Sequence, residues 1–532
     1  MVANNGANTH FPELWLCLPR RHTLRRAGWR LPPIYVQAIQ DSHSSRQDPD
    51  KKESIPRKFL EASVTAFTSL FILALGGYSY HIYYKNLVLR KIDNAFSSGY
   101  STLELAALAQ HGVGIDSSTS PTGDKHRFYV LRPEQAVIDG ILSGNIRHNY
   151  YLLFGEKGAG KTTMLLESMR KVHGSGVAML EAHGDLELFR LRLGKALDYE
   201  YHEDYMGSLF NYRGPREATP LLDIERALNK LEKVALQRRS KHNRPLVLII
   251  SNIHHLPDNP EGQHLLTLLQ QRAELWAASE LITLVFTSDQ YRTTEQLRLH
   301  ATRLQVLTVK DVPEDIAMKA LREYRETKFG EPVSADILSQ VYDKVGGRLI
   351  FLDQIAKSKN MLEMCHSICE KERKWLLSNC WILGSEMDPK AEDQQDYCAA
   401  AMILAQALVD IEKESAGGKS TPDLPGIPLH KAQELMTRAD FIRKLDQVNI
   451  VSIDADSMVR ADSVPMQNAF RTVCSDPQFT KHLETTIERL DELESLGRTR
   501  ELTMKDLANN QYVATVDGMG NNQSTSIRFR KL

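Results

Sequence analysis

YYLLFGEKGAGKTT, residues 150–163, is the stretch whose reading decides the fold. Its first five residues, Tyr150 to Phe154, form a short apolar run of the kind found in buried strands. The next nine are Gly155, Glu156, Lys157, Gly158, Ala159, Gly160, Lys161, Thr162 and Thr163, the pattern G-x-x-x-x-G-K-T. Met164, Leu165, Leu166 and Met169 then recur at helical spacing. A glycine-rich loop between a strand and a helix lets successive backbone N–H groups turn toward phosphate oxygens. The helix N-terminus adds its partial positive charge. Those nine residues are therefore the expected nucleotide site. Lys161 is expected to reach the β- and γ-phosphates and Thr162 to ligate Mg²⁺, so the expected cofactors are ATP and Mg²⁺.

Further strands follow the loop. Val177 to Ala182 reads as a second strand, and Pro245 to Ile250 (PLVLII) is a continuous apolar run of buried parallel type. Leu281 to Phe286 and Gln305 to Val309 complete the set. This predicts a three-layer α/β domain with a parallel sheet and the loop at the strand carboxyl ends, where ligands bind. The strand at 245–250 ends in Ser251 and Asn252, followed by Ile253, His254 and His255, with no acid. Glu181 and Asp185, near the end of the second strand, and His254 are the candidates for a substitute acid or base.

Arg132-Pro133-Glu134 precedes a helix (AVIDGILSG) ahead of the loop. With that motif and the loop, the chain resembles the AAA+/STAND-type P-loop ATPases over roughly residues 128–360. The resemblance is closest to the archaeal-ATPase branch and its membrane-anchored fungal mitochondrial relatives. It implies an aspartate at the end of the 245–250 strand, so Ser251 and Asn252 mark a degenerate Walker B site. It also implies that Thr287, after the fourth strand, is the sensor-1 residue. A helical lid would begin near Pro313, with Arg348, after Gly346-Gly347, in the sensor-2 position facing the γ-phosphate. Arg298 and Arg303 would act as fingers in trans only in a ring, so oligomers enter the expectation through them. Loss of a water-positioning group costs roughly 10²- to 10⁴-fold in rate. Nucleotide binding with slow or absent hydrolysis is expected, in a switch or scaffold. The alternatives are an active AAA+-like ATPase remodelling protein or mitochondrial DNA, and a protein-binding module with a vestigial site.

The C-terminal third reads as helical at 361–412, then as a Gly/Ser/Pro-rich linker from Glu414 to Pro428. An amphipathic helical region (Leu429 to Leu445), two short runs (Asn449 to Ile453 and Met458 to Ala461) and a helix (Pro465 to Val473) suggest a winged helix. Arg460 and Arg471 stand against Asp446, Asp454, Asp456 and Asp462, a mixture that favours a protein-facing or intramolecular module over DNA. Leu483, Ile487, Leu490, Leu493 and Leu496 mark a packing or partner helix, and the last fifteen or so residues read as disordered. The basic run Arg238, Arg239, Lys241, His242 and Arg244 reads as a solvated loop. The formal net charge of −1 argues against a protein that coats nucleic acid.

From Ala62 to Tyr84 there is no Asp, Glu, Lys or Arg. At ~1.5 Å per residue that stretch spans a hydrocarbon core of about 30 Å, and Tyr78, Tyr80, Tyr83 and Tyr84 resemble an interfacial belt. One membrane-spanning helix is expected. Before it, Arg20, Arg21, Arg25, Arg26 and Arg30 cluster, and Glu13 is the only acid before Asp41, as in a mitochondrial transit peptide. The expected location is a mitochondrial membrane, the inner one, with another intracellular membrane as the alternative. The expected layout is a basic leader at 1–58, membrane helix at 59–87, linker at 88–127 and P-loop domain at 128–310. A lid at 311–375, a helical segment and linker at 376–427, a winged helix at 428–475 and a C-terminal helix with disordered tail at 476–532 complete it. Six cysteines in 532 residues exclude a disulfide scaffold. Cys365 and Cys369, one turn apart, read as one face of a packed helix rather than as a zinc site with His366.

Overall fold

The computed structural model describes residues 55–99, 130–201, 219–242, 244–330, 332–382, 392–415, 424–436, 438–490, 495, 512–517 and 526–531. The basic leader, with its transit-peptide reading, lies outside the described residues apart from its last few positions. The chain divides into two compact units, residues 1–76 and 77–532.

In the first unit the described part belongs to helix α1 (Ile55–Ala95), which continues into the second unit. Phe67, Leu70, Phe71, Ile72 and Leu73 are exposed along it. Thr68 Oγ1 donates to Val64 O and Ser69 Oγ to Ala66 O, so these hydroxyls are satisfied within the helix. By length and composition the segment Ser63–Ala95 suffices to cross a membrane.

The second unit begins with the rest of α1, which corrects the start of the expected linker at 88–127; residues 100–127 lie outside the described residues. Val88, Leu89, Ile92, Ala95 and Phe96 recur at three- and four-residue steps, so one helical face is apolar and buries in the core. Phe96 O accepts from Gly176 N at 2.8 Å and from Arg238 Nη1 at 3.1 Å. Three residues of the basic run bond to the protein itself. Arg238 pairs with Asp93, Arg239 donates to Ser279 O, and Arg244 donates to Leu142 O.

The P-loop domain contains α2 (Glu134–Leu142), β1 (Tyr150–Phe154), α3 (Lys161–Lys171), β2 (Val177–Glu181), α4 (Leu186–Leu197), α5 (Pro220–His242) and β3 (Leu246–Ser251). A 3₁₀ turn (Ile253–His255), α6 (Pro260–Ser279), β4 (Ile282–Ser288), α7 (Tyr291–Arg298) and β5 (Leu304–Thr308) complete it. The sheet order is β2-β3-β4-β1-β5, and every pairing is parallel. Side chains alternate between the two faces of each strand. Tyr151, Leu153, Val247 and Ile249 pack with Ile138 of α2 and Leu165 of α3. Tyr150, Leu152, Leu248 and Ile250 pack on the other side with Phe189, Leu228 and Trp276. Helices on both faces of a parallel sheet give the expected three layers.

The region expected as the lid is four helices with a core of their own: α8 (Glu314–Phe329), α9 (Ala335–Val345), α10 (Leu349–Lys357) and α11 (Met361–Cys380). Cys365 is buried in that core, and among the described residues no group of three His, Cys, Asp or Glu side chains could hold a metal.

Beyond α11 lie α12 (Glu392–Ser415), β6 (Gly426–Pro428), α13 (Leu429–Met436), α14 (Ala439–Gln447), β7 (Val451–Ile453), β8 (Met458–Ala461) and α15 (Val464–Cys474). The three strands form an antiparallel sheet in the order β6-β8-β7. Phe441, Ile442 and Leu445 turn the apolar face of α14 inward. The following helical stretch, 477–490, packs through Phe479 and Leu483. The expected disordered tail is corrected by β9 (Tyr512–Asp517) and β10 (Ser526–Lys531). They pair antiparallel from Tyr512↔Lys531 to Asp517↔Ser526. β9 is rich in β-branched and aromatic residues, which fit a pleated ladder, and β10 adds Ile527 and Phe529.

Candidate functional site

The loop after β1 is built by conformations that favour glycine. Gly158 has φ 82° and Gly160 φ 100°, both in the left-handed region. Each is also pressed by the lid. A Cβ on Gly158 would lie 2.5 Å from Ile350 Cγ2, and one on Gly160 would lie 2.6 Å from Leu349 Cδ1. Ile350 N donates to Gly158 O at 3.2 Å, so the start of α10 rests on the loop. Arg132, the motif residue ahead of α2, braces the loop from beneath. It donates to Ala159 O at 3.0 Å and to Lys310 O.

Lys161 is buried and folds back on its own loop, donating to Gly155 O at 2.6 Å and Glu156 O at 3.0 Å. Burial lowers its pKa from the ordinary lysine value, and the carboxylates of Asp289 and Glu156 oppose that shift. Thr162 and Thr163 follow in the first turn of α3, both part-exposed. A divalent cation arriving with phosphate oxygens would find the Thr162 hydroxyl there, and an all-oxygen set suits Mg²⁺.

Glu156 does not face solvent. Its carboxylate accepts from Arg460 of β8 and from Ser452 Oγ of β7, the latter at 3.2 Å. Burial opposes its ionisation, but Arg460 and Arg348 hold the Glu156 carboxyl below its usual range. Arg348, at the start of α10, is 2% exposed. Its guanidinium donates to Asp311 at 2.7 Å, to Lys157 O at 3.0 Å and to Asp462 Oδ2 at 3.1 Å, with a further bond to Asp462 O. Burial works against its charge, yet Asp462 and Asp311 raise its pKa above the ordinary arginine value. The sensor-2 candidate thus lies at the junction of loop, lid and C-terminal domain.

The end of β3 carries Ser251, buried, with its hydroxyl donating to Leu180 O at 3.1 Å. Asn252 sits at φ 54° and reaches Glu181 Oε1 at 2.9 Å. Glu181 is exposed, also pairs with Arg192, and lies on the edge strand. Asp185 is the N-cap of α4, accepting from Glu187 N at 2.9 Å. Thr287 is fully buried, and its hydroxyl accepts from Asn252 N at 2.9 Å. His254 turns inward from the 3₁₀ turn, and its Nδ1 lies 3.0 Å from Asp289 Oδ1. Arg292 braces that turn by donating to Leu256 O at 2.9 Å.

Asp289 is the residue that the sequence reading passed over. Phe154 pairs with Ser288 in the sheet, so the next position places Asp289 level with Gly155, one strand away. Burial opposes its ionisation, but His254 and Lys161 hold its carboxyl below the usual carboxylate range. Arg460 and Asp462 were legible only as mixed charge in the hairpin.

Residues 378–494 match the family model for the fungal AAA protein C-terminal winged helix domain. The chain is consistent with an AAA+-type P-loop ATPase. The matched segment runs from the end of α11 through the helical stretch 477–490 and forms the C-terminal winged-helix domain. Among solved structures it is similar to the Walker-type ATPase paby2304 of Pyrococcus abyssi, at 11% identity and TM-score 0.42, covering 64% of this chain and 96% of that one. The ORC1 protein of Aeropyrum pernix, in complex with DNA, is 16% identical at TM-score 0.33, with 68% and 97% covered. Cdc6p of Pyrobaculum aerophilum is 14% identical at TM-score 0.29, with 66% and 96% covered. Comparison with curated proteins gives no match.

Proposed function

We propose that this AAA+-type chain is a membrane-anchored ATP-binding protein that works as a nucleotide-dependent switch. The observation that carries the reading is the charge network joining the phosphate-binding loop to the lid and the winged helix. Glu156 is held by Arg460, and the Lys157 carbonyl by Arg348, which also holds Asp462. Phosphates entering the loop draw Lys161 off Gly155 O and Glu156 O and add negative charge beside Glu156 and Asp462. The network then repays less of its desolvation, and the winged helix is released. Gly155 to Thr163 bind the nucleotide, and Mg²⁺ enters with it through Thr162. Ser251 and Asn252 leave β3 without a carboxylate, which favours long occupancy over fast turnover.

α1 supplies the membrane anchor, and the arginine-rich leader favours the inner mitochondrial membrane. The released winged helix, in the domain layout set out from the sequence, is the surface for a protein partner.

The test is ATP binding by the full chain in detergent, with hydrogen exchange followed in β7 and β8. Wild type binds Mg²⁺-ATP and its hairpin amides exchange faster; Lys161→Ala does neither. Binding without faster exchange in the hairpin refutes the switch. Failure of wild type to bind ATP refutes the nucleotide reading.

A further inference from the structure

We infer that Asp289, positioned by His254, is the carboxylate that accepts the proton of the attacking water at this nucleotide site. The inference rests on the nucleotide reading above and deepens it. It supplies the slow hydrolysis that returns the switch.

Three observations single out Asp289 among the acids near the sheet. The first is place. Strand spacing puts the end of β4 about 4.8 Å from β1, whereas Glu181 on β2 lies three spacings away, roughly 14 Å. The second is availability. Glu181 is engaged by Asn252 and Arg192, and Asp185 caps a helix. Glu156 is held by Arg460 and Ser452, and Asp462 by Arg348. Asp289 is held at one oxygen by an imidazole that is itself mostly buried. The third is setting. The charged groups acting on Asp289 come from three elements: His254 on the 3₁₀ turn, Lys161 on α3 and Asp446 on α14. The first two favour the ionised carboxylate, the form a base needs.

The reaction balances as a hydrolysis. The water oxygen bonds to the γ-phosphorus while the bond from that phosphorus to the β–γ bridging oxygen breaks. The electron pair leaves with ADP. The water's proton passes to Asp289 and from there to solvent, giving ADP and inorganic phosphate. His254 is a positioning residue for that carboxylate, its Nδ1 standing 3.0 Å from Asp289 Oδ1.

The experiment uses the full chain in detergent with Asp289→Asn, Asp289→Glu, His254→Gln and Lys161→Ala. Single-turnover hydrolysis of ATP and Mg²⁺-free binding of a fluorescent ATP analogue are both measured. Asp289→Asn is expected to slow turnover about 10²-fold or more. The same change removes a negative charge beside Lys161, so Mg²⁺-free binding should tighten several-fold; a merely misfolded site would bind less. Asp289→Glu should restore part of the rate. His254→Gln should keep the affinity and shift the acid limb of the rate profile to higher pH, because the Asp289 carboxyl loses a neighbour that holds its pKa down. The inference is overturned if Asp289→Asn turns over like wild type, if its affinity falls instead of rising, or if wild type shows no Lys161-dependent turnover. Failure of Lys161→Ala to weaken binding would instead overturn the nucleotide reading.

Discussion

Arg460 of the winged helix donates to Glu156 inside the phosphate-binding loop, and both side chains are mostly shielded from water. Removing one partner of such a pair strands the other as a buried charge and costs about 3–5 kcal/mol. Arg460→Met and Glu156→Leu should each lower the urea midpoint strongly. The double variant should recover much of the loss. A double-mutant cycle that sums additively would show that the two side chains are not coupled.

Arg348 tests the same junction from the lid side. Its planar guanidinium serves Asp311, Lys157 O and Asp462 at once, which an ammonium on a flexible stem does not reproduce. Arg348→Lys should therefore lose stability nearly as far as Arg348→Ala, by about 3 kcal/mol or more. Thermal unfolding of the two variants decides it; a lysine variant matching wild type contradicts the geometry.

Asp446 gives the pH dependence. Its carboxyl accepts from Tyr291 N at 3.0 Å, and burial pushes it up to about 8, with Asp289 and Asp462 adding to the rise. The folded state therefore binds a proton that the unfolded chain has already released. Stability from this group is full below the ordinary aspartate range and is lost as pH rises toward 8. The melting temperature should fall as pH rises from about 4 to about 8 and level off above that. Asp446→Asn keeps the acceptor oxygen and should flatten that fall. An unchanged slope in the variant would assign the effect to other groups.

Restoring an acid at the end of β3 should not restore a fast enzyme by itself. The Ser251 hydroxyl donates to Leu180 O, toward β2 and away from β1. A carboxylate there meets a carbonyl, with no proton to share. Ser251→Asp should cost about 1–3 kcal/mol of stability. A variant that melts above wild type and hydrolyses ATP faster would show that the new side chain turns to the nucleotide.

Local chemistry was legible in advance. The five apolar strands each depend on neighbouring residues, and they form the parallel sheet that the pattern implies. Asp289 was not legible, because its value depends on strand order: only the register Phe154↔Ser288 brings it level with the loop. Glu156 read only as one residue of the nucleotide loop and Arg460 as part of the mixed charge in the hairpin, and nothing in their own segments foretells that they meet. The burial of Val88 to Phe96 was hidden by the longer apolar run before it. The tail hairpin was hidden because its two strands are short and lie among polar residues.

Glu156 and Arg460 are 304 positions apart in the chain. At a synthesis rate of about 5–20 residues per second, the loop leaves the ribosome roughly 15–60 s before its partner strand is made. Glu156 is therefore made long before the guanidinium that neutralises it, so the loop carries an unpaired acid until β8 has been synthesised and docks.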